Sequence, residues 1–200
     1  MNNLDKIFNG NPNFFAIEYL DYLISVLKKI DPQSIASFIE LLIDARNRGA
    51  TIYFIGNGGS ASTANHFAND LSIGTNSYKK PFRAISLADN NAIITAISND
   101  YGYDEIFIRQ LQILGRPGDL IVAISASGNS KNLIKAFEFA KTIQMKTIGI
   151  VAFDGGILKN LADHSIHVPT QQKEYGPAED AHMILDHLIS AYLMRFVKIK

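Results

Sequence analysis

The chain has 200 residues, and its composition of 47% hydrophobic and 19% charged residues is typical of globular proteins, which excludes a disordered or fibrous chain. The 19 Lys and Arg residues balance the 19 Asp and Glu residues, and a net charge of zero argues against a general nucleic-acid binder. The absence of cysteine excludes disulfide bonds and thiolate metal sites. Because no apolar stretch approaches the roughly 20 residues of a membrane span, and the first residues lack a secretory signal pattern, we expect a soluble cytoplasmic protein.

The first quarter of the chain predicts a helical hairpin. Apolar side chains recur every three or four residues from residue 13 onwards, as a helix with one buried face requires. Asp31 and Pro32 then mark the start of a second helix, with Asp31 as N-cap and Pro32 in the first turn. Gly49 is the predicted end of this helix, so the hairpin occupies residues 1–49.

The rest of the chain predicts alternating strands and helices. Five short apolar segments rich in Ile and Val lie at residues 51–55, 83–87, 120–125, 147–152 and 165–168. Most are apolar throughout, which indicates strands buried on both faces of a parallel sheet. Helical patterns lie between and after them, at residues 60–73, 90–98, 104–114, 130–143 and 176–198. We therefore predict an α/β fold, a doubly wound parallel five-stranded sheet flanked by helices over residues 50–200, within a single domain of residues 1–200.

A glycine-rich loop follows the first predicted strand directly and precedes a helix. It contains Asn57, Gly58, Gly59 and Ser60. Glycines allow the backbone to approach a ligand closely, and the N-terminus of the following helix offers N–H groups to an anion. A tight strand-to-helix turn would use the same glycines, so this alternative stays open. The loop matches neither the Walker motif nor GxGxxG, which leaves a dinucleotide site without support.

A second loop, after the third predicted strand, carries Ser125, Ser127 and Ser130 around one glycine. Three hydroxyls at a helix start are a compact set of hydrogen-bonding groups for phosphate oxygens. Simple N-capping by Ser127 or Asn129 is the alternative interpretation. Because ligands bind beyond the carboxyl ends of parallel strands, the two loops together predict a site for a small phosphorylated ligand.

Titratable side chains occur on two of the predicted helices. His66 and Asp70 are four residues apart and share one helix face, although an exposed His–Asp pair has the same spacing. On the last helix, the polar titratable residues are Glu179, Asp180, His182, Asp186 and His187. Positions 179 and 187 are about two turns apart, and His182 with Asp186 is an equally well spaced pair. The spacing leaves open which histidine faces a site.

Four motifs, in this order and spacing, resemble those of the SIS-domain sugar isomerases, and in particular the phosphoheptose isomerases: GNGGSASTANHFANDL, SNDYGYDEIF, SASGNSKN and EDAHMILDHL. The resemblance covers the chain from about residue 13 to its end. It implies a SIS fold and an enzyme that converts sedoheptulose 7-phosphate to D-glycero-D-manno-heptose 7-phosphate through an enediol, in heptose biosynthesis for lipopolysaccharide or capsule. It also implies a homotetramer with sites shared between subunits. From the net charge of zero and the lack of an apolar span, we expect neither nucleic acid nor membrane as a partner.

The resemblance assigns roles to individual residues. Asp70 is implied as the catalytic base, and His187 as the group that acts on the opposite side of the enediol. The implied zinc ligands are His66, Asp70, Glu179 and His187, and the implied substrate-binding residues are Asn57, Gly58, Gly59, Ser60, Asn99, Asp100, Ser125, Ala126, Ser127, Ser130 and Glu179. Asp70, Ala126 and Glu179 stand where the best-known members have Glu, Thr and Gln, and we expect the additional acid at position 179 to tighten the metal site.

Two other functions are compatible with these motifs. Some relatives are non-catalytic tetrameric adaptors that bind the replication initiator DnaA and have lost the catalytic pair. This chain has both the acid at position 70 and the histidine at position 187, which favours catalysis. An isomerase of a different sugar phosphate on the same scaffold is the second alternative.

Overall fold

The structure, a computed structural model, describes residues 2–199, so the first and last residues of the predicted domain lie outside the described residues. The strands are β1 (Thr51–Gly56), β2 (Arg83–Ser86), β3 (Leu120–Ser125), β4 (Lys146–Ala152) and β5 (His164–Val168). The helices are α1 (Asn3–Ile7), α2 (Pro12–Leu27), α3 (Pro32–Arg48), α4 (Gly59–Asn69), α5 (Asn91–Tyr101), α6 (Ile108–Leu114), α7 (Lys131–Thr142), α8 (Gly156–Leu161) and α9 (Tyr175–Phe196).

The described strands form one parallel sheet in the order β2-β1-β3-β4-β5. This confirms the predicted five-stranded parallel sheet. From β1 the chain moves outward to β2, then returns to the other side of β1 to form β3 and continues to β4 and β5. The order therefore reverses between β1 and β3, and in open α/β sheets the crevice at this switch point is where ligands bind.

Buried side chains cover both faces of the sheet, because successive residues of a strand point to opposite sides. In β1, Ile52 and Phe54 pack into the core formed with α3, α4 and α9, whereas Tyr53 and Ile55 pack into the core formed with α6, α7 and α8. Burial on both faces accounts for the continuous apolar runs in the sequence.

The two helices predicted in the first quarter of the chain are formed as α2 and α3. The Asp31 carboxylate accepts hydrogen bonds from the backbone N–H groups of Gln33 and Ser34, at 3.0 and 3.1 Å. Gly49 ends α3 with φ of 70°, a left-handed conformation that glycine adopts without the strain of a side chain. Asp31 and Gly49 thus have the predicted roles.

Several helices differ from the predicted ranges. The predicted helix 60–73 ends as α4 at Asn69 and continues as a π-helical turn, Asp70–Gly74. The predicted helix 104–114 begins as a 3-10 turn at Tyr103–Glu105, and α6 starts only at Ile108. The short helices α1 and α8 were not predicted. None of the helices described within residues 2–199 combines the length and the hydropathy needed to cross a membrane.

Candidate functional site

The glycine-rich loop and the serine loop leave the sheet from the neighbouring strands β1 and β3, on the two sides of the switch point. Asn57 fixes the first loop, because its side-chain amide exchanges two hydrogen bonds with the buried amide of Asn132, at 2.8 and 3.0 Å. The Tyr103 hydroxyl also donates to Asn57 Oδ1, at 2.8 Å. Asn57 therefore ties the glycine-rich loop to α7 and to the turn after α5.

The two loops enclose a polar pocket of about 170 Å³, which we call the serine pocket. Its lining comprises Ile124, Tyr175 and seven residues predicted to bind substrate: Asn57, Ser60, Ser125, Ala126, Ser127, Ser130 and Glu179. A pocket with several hydroxyl groups at the start of α7 matches the predicted chemistry of a phosphate site.

The serine side chains of this loop make no capping hydrogen bond to α7. The helix begins at Lys131 with Ser130 as N-cap, and the Ser130 side chain makes no capping hydrogen bond. Ser127 Oγ accepts from the N–H of Asn129, at 3.3 Å, and Asn129 Oδ1 accepts from the N–H of Ile157, at 3.0 Å. Neither Ser127 nor Asn129 is the N-cap, so the capping alternative does not account for the serines.

Glu179 belongs to the serine pocket. It lies half-buried near the start of α9, and its carboxylate is so close to Gly59 that a Cβ at position 59 would overlap with it. The close approach explains why glycine stands there. Burial raises the pKa of Glu179 above its ordinary value, and the nearby charge of Asp180 raises it further.

A second group of side chains, which we call the His/Asp cluster, comprises His66, Asp70, Asp186 and His187. One ligand atom from each lies within 4.8 Å of the others. His66 Nε2 is 3.2 Å from His187 Nε2 and 3.6 Å from Asp70 Oδ1. Asp70 stands where α4 passes into the π-helical turn, an irregularity that is frequent at functional sites.

Asp186 is the fully buried member of the cluster, whereas both histidines are exposed. Ser190 Oγ donates to Asp186 Oδ1 at 3.0 Å, and Oδ2 has no hydrogen-bond partner among the described residues. Burial raises the pKa of Asp186 to about 6, and the opposing effects are the Ser190 hydrogen bond and the two histidines. The sequence placed Asp186 among several acids of the last helix without indicating that it is buried.

His182 lies in the interior and is not a member of the cluster. Neither ring nitrogen makes a hydrogen bond of ordinary geometry to a described residue, although the Val151 backbone is near enough to stabilise the charged ring slightly. Burial is the larger effect and lowers the pKa of His182 to about 4. The structure therefore decides what spacing left open: His187 faces the cluster, and His182 does not.

The structure brings together three of the four predicted metal ligands, His66, Asp70 and His187. The fourth, Glu179, is not a member of the cluster and lines the serine pocket. The predicted substrate residues Asn99 and Asp100 are exposed in the last turn of α5, joined by a 2.9 Å hydrogen bond, and do not line the serine pocket. Asn132 and Tyr175 were not among the predicted site residues, and Asp186 was named only as one of the titratable residues of the last helix.

The cluster has the chemistry of a site for a divalent cation. Two imidazole nitrogens and carboxylate oxygens are a ligand set that suits zinc. In a tetrahedral site with Zn–N bonds of about 2.0 Å, two nitrogen ligands lie about 3.3 Å apart. The 3.2 Å between the Nε2 atoms of His66 and His187 is close to this value.

Comparison with known proteins identifies the family. Residues 18–152 match the SIS domain family. The chain belongs to the SIS domain family. A SIS relative, the phosphoheptose isomerase of Helicobacter pylori (strain ATCC 700392 / 26695), is 37% identical over 179 residues, which are 88% of this chain and 92% of that protein. The phosphoheptose isomerase of Geotalea daltonii is 38% identical over 165 residues, 82% of this chain and 84% of that protein.

Solved structures show the same SIS fold. A phosphoheptose isomerase from Francisella tularensis is similar with a TM-score of 0.79 and 27% identity, over 98% of this chain and 100% of that one. A phosphoheptose isomerase from Neisseria gonorrhoeae is similar with a TM-score of 0.79 and 29% identity, over 89% and 96% of the two chains.

Proposed function

We propose that the protein is a sugar-phosphate isomerase of heptose biosynthesis, which interconverts sedoheptulose 7-phosphate and D-glycero-D-manno-heptose 7-phosphate. The observation that carries the proposal is that α4 and α9 join a polar pocket to a group of acid–base side chains. Gly59 meets Glu179 at the serine pocket, and His66 meets His187 in the His/Asp cluster. The relatives named phosphoheptose isomerase support the choice of substrate class.

The serine pocket would hold the phosphate group. Its hydroxyl and backbone N–H groups make charge-assisted hydrogen bonds to phosphate oxygens, which are stronger than neutral ones. Binding of the phosphate group holds the carbonyl end of the sugar near the catalytic side chains. The reaction then proceeds as a step within one complex and avoids the entropy cost of bringing the groups together. The serine pocket thus supplies positioning rather than proton transfer.

Proton transfer is assigned to the His/Asp cluster. Asp70 removes the proton on the carbon next to the substrate carbonyl, and His187, on the opposite side, gives a proton to the carbonyl oxygen, which completes the enediol. His66, Asp70 and His187 would hold a zinc ion, and the resemblance of the motifs implies Glu179 as a further ligand. When bound, a zinc ion supplies Lewis-acid polarisation of the substrate carbonyl.

A direct assay tests the proposed function. The purified protein is incubated with sedoheptulose 7-phosphate, and the products are followed by NMR. We expect signals of the aldose heptose 7-phosphate to appear until equilibrium is reached. If this ketose is unchanged while another ketose phosphate is converted, the substrate is wrong. If no sugar phosphate is converted, the non-catalytic adaptor alternative gains support.

We also propose a homotetramer. Large apolar side chains are exposed on two helices, namely Phe14, Ile17, Leu20 and Ile24 of α2, and Ile184, Leu188 and Tyr192 of α9. Contiguous exposed apolar surface of this kind is typical of subunit interfaces. Because α9 also carries the site residues, an interface on this helix would lie beside the site.

A further inference from the structure

We propose that Tyr175 is a further substrate-binding residue. Its hydroxyl group donates a hydrogen bond to the phosphate group in the serine pocket, and its ring packs against the carbon chain next to the phosphate. Tyr175 is not among the substrate-binding residues that the sequence motifs imply. The inference deepens the proposed function and rests on it for the identity of the sugar phosphate, whereas the phosphate contact rests on the residues of the pocket.

The first argument is the position of Tyr175. It is the first residue of α9, and it lines the serine pocket together with Ser127 and Ser130. Glu179, four residues later on α9, lines the same pocket, so both side chains project from one face of the helix. Tyr175 is also 53% exposed. It therefore lies at the opening of the serine pocket, where it can contact a ligand that enters.

The second argument is that Tyr175 is held in place while its hydroxyl group stays free. Its ring packs edge-on against the buried ring of Phe153, with 5.2 Å between the ring centroids and 78° between the planes. Glu174, directly before it, is fully buried, and its carboxylate accepts hydrogen bonds from the backbone N–H groups of Asn3 and Gln171, at 2.6 and 2.9 Å. The Tyr175 hydroxyl makes no hydrogen bond within residues 2–199. A ring that is fixed before binding loses little conformational entropy when a ligand arrives.

The third argument is the donor chemistry of the serine pocket. None of the described residues that line it is a lysine, arginine or histidine, and Glu179 contributes a carboxyl group. A phosphate group in this pocket is therefore held by uncharged donors, namely hydroxyl, amide and backbone N–H groups. A phenol O–H is more acidic than an aliphatic hydroxyl and is therefore the stronger donor. Tyr175 supplies the strongest hydroxyl donor among the side chains that line the pocket.

The ring and the hydroxyl group of Tyr175 meet different parts of the ligand. A sugar phosphate that is seated by its phosphate group leaves the pocket through the opening, so the carbons next to the phosphate pass the Tyr175 ring. Aromatic rings bind such C–H groups by dispersion and burial of apolar surface. Inorganic phosphate lacks these carbons. The hydroxyl group therefore matters for both ligands, and the ring matters only for the sugar phosphate.

Two substitutions separate the hydroxyl group from the ring. Binding of inorganic phosphate and of sedoheptulose 7-phosphate to the full chain is measured by titration calorimetry. We expect Tyr175→Phe to lower the affinity for both ligands about tenfold, because it removes one hydrogen bond to a charged group. Tyr175→Ala should lower the affinity for inorganic phosphate by the same factor, and that for the sugar phosphate by a further factor of about three. The matched controls, Tyr78→Phe and Tyr78→Ala at an exposed residue before β2, should bind both ligands as the wild type does.

Folding and activity are followed separately. Circular dichroism checks each variant, and Tyr175→Phe keeps the packing on Phe153, so it tests the hydroxyl group even if the alanine variant is unfolded. In that variant KM for sedoheptulose 7-phosphate should rise about tenfold while kcat stays within about twofold, because the hydroxyl group contacts the phosphate and not the reacting carbons.

Three results would overturn the inference: wild-type affinity for phosphate in Tyr175→Phe, equal losses in the Tyr78 controls, or a wild-type chain that does not bind phosphate. If phosphate binding depends on Tyr175 but sedoheptulose 7-phosphate is not converted, the proposed function fails and the assignment of Tyr175 stands. If the sugar phosphate is converted by Tyr175→Phe with the wild-type KM, the proposed function stands and the assignment fails.

Discussion

Asp70 is the side chain on which proton abstraction depends, because its carboxylate lies in the His/Asp cluster at the end of α4. Asp70→Asn keeps the shape and removes the proton acceptor, so we expect kcat to fall by roughly 10²–10⁴. Initial rates with sedoheptulose 7-phosphate measure this. Asp44→Asn, at an exposed residue of α3, is the control and should retain the wild-type rate. A folded Asp70→Asn protein with nearly normal turnover would remove Asp70 from the mechanism.

Ser127 and Ser130 line the serine pocket, where we place the phosphate. Replacing either by Ala removes one charge-assisted hydrogen bond, so each variant should bind the sugar phosphate more weakly by about 1–2 kcal/mol. Affinity for the unphosphorylated sugar should stay the same. Calorimetric titrations with both ligands measure the difference, with Ser37→Ala on α3 as control. Equal losses for both ligands would mean that the pocket holds the sugar and not its phosphate.

His182 makes the stability of the protein depend on pH. Burial lowers its pKa from 6.5 to about 4. Between pH 6.5 and pH 4, this histidine is therefore protonated in the unfolded chain but not in the folded chain. A depressed pKa of a histidine stabilises the fold above pH 6.5. This contribution to the free energy of unfolding, about 3 kcal/mol, is lost progressively as the pH falls from 6.5 to 4. Asp186, with a raised pKa, has the opposite dependence in the metal-free protein, because its neutral form is favoured by burial.

A difference measurement isolates the contribution of His182. His182→Gln does not titrate, so between pH 6.5 and 4 its free energy of unfolding should fall less steeply than that of the wild type. Urea denaturation of both metal-free proteins across this range gives the two slopes. Parallel curves would show that His182 does not titrate differently in the folded and unfolded states.

The start of α3 shows how a single residue stabilises a whole element. Asp31 accepts two backbone hydrogen bonds that the helix cannot satisfy internally. Asp31→Ala should therefore lower the free energy of unfolding by about 1 kcal/mol. Asp31→Asn should lower it much less, because Asn is also a good N-cap residue. Urea unfolding midpoints at constant slope measure both variants. An alanine variant as stable as the wild type would mean that the helix start does not depend on its cap.

Elements with a strong local signal were predictable from the sequence. The strands are apolar because both faces of the sheet are covered, and α3 has both its cap residue and its terminal glycine. The helix α1 has a complete capping box but no buried residue, so hydrophobic periodicity does not reveal it. The change from α4 to a π turn at Asp70 alters the hydrogen-bonding pattern without altering the type of residue, so the order of apolar and polar residues does not distinguish the two.

The two loops that line the serine pocket could be predicted from the sequence, but the arrangement of the side chains on α9 could not. Both loops were found because glycines and serines follow strands, which is a local pattern. The roles of His182 and Asp186 depend on which side of α9 faces α4, and that is decided by packing between helices far apart in sequence. For the same reason the position of Glu179 against Gly59 could not be derived from spacing alone.

At the scale of the whole molecule, the exposed apolar faces of α2 and α9 predict association. We expect the protein to sediment at micromolar concentration with about four times the chain mass of 22.1 kDa. Leu20→Glu places a charge in the exposed face of α2 and should shift the distribution to smaller species. Glu18→Gln is the control on the same helix. A stable monomer of the wild type would contradict the tetramer.

The helices α4 and α9 run in the same direction and meet twice, at Gly59 with Glu179 and at His66 with His187. The two contacts are seven residues apart on α4, from Gly59 to His66, and eight residues apart on α9, from Glu179 to His187. An inserted residue in either interval would turn everything beyond it by about 100° and shift it by about 1.5 Å. The number of residues in these two stretches is therefore under a stricter constraint than their identity. Substitutions within these two stretches keep both contacts in register, whereas we expect insertions and deletions to be tolerated only in the loops.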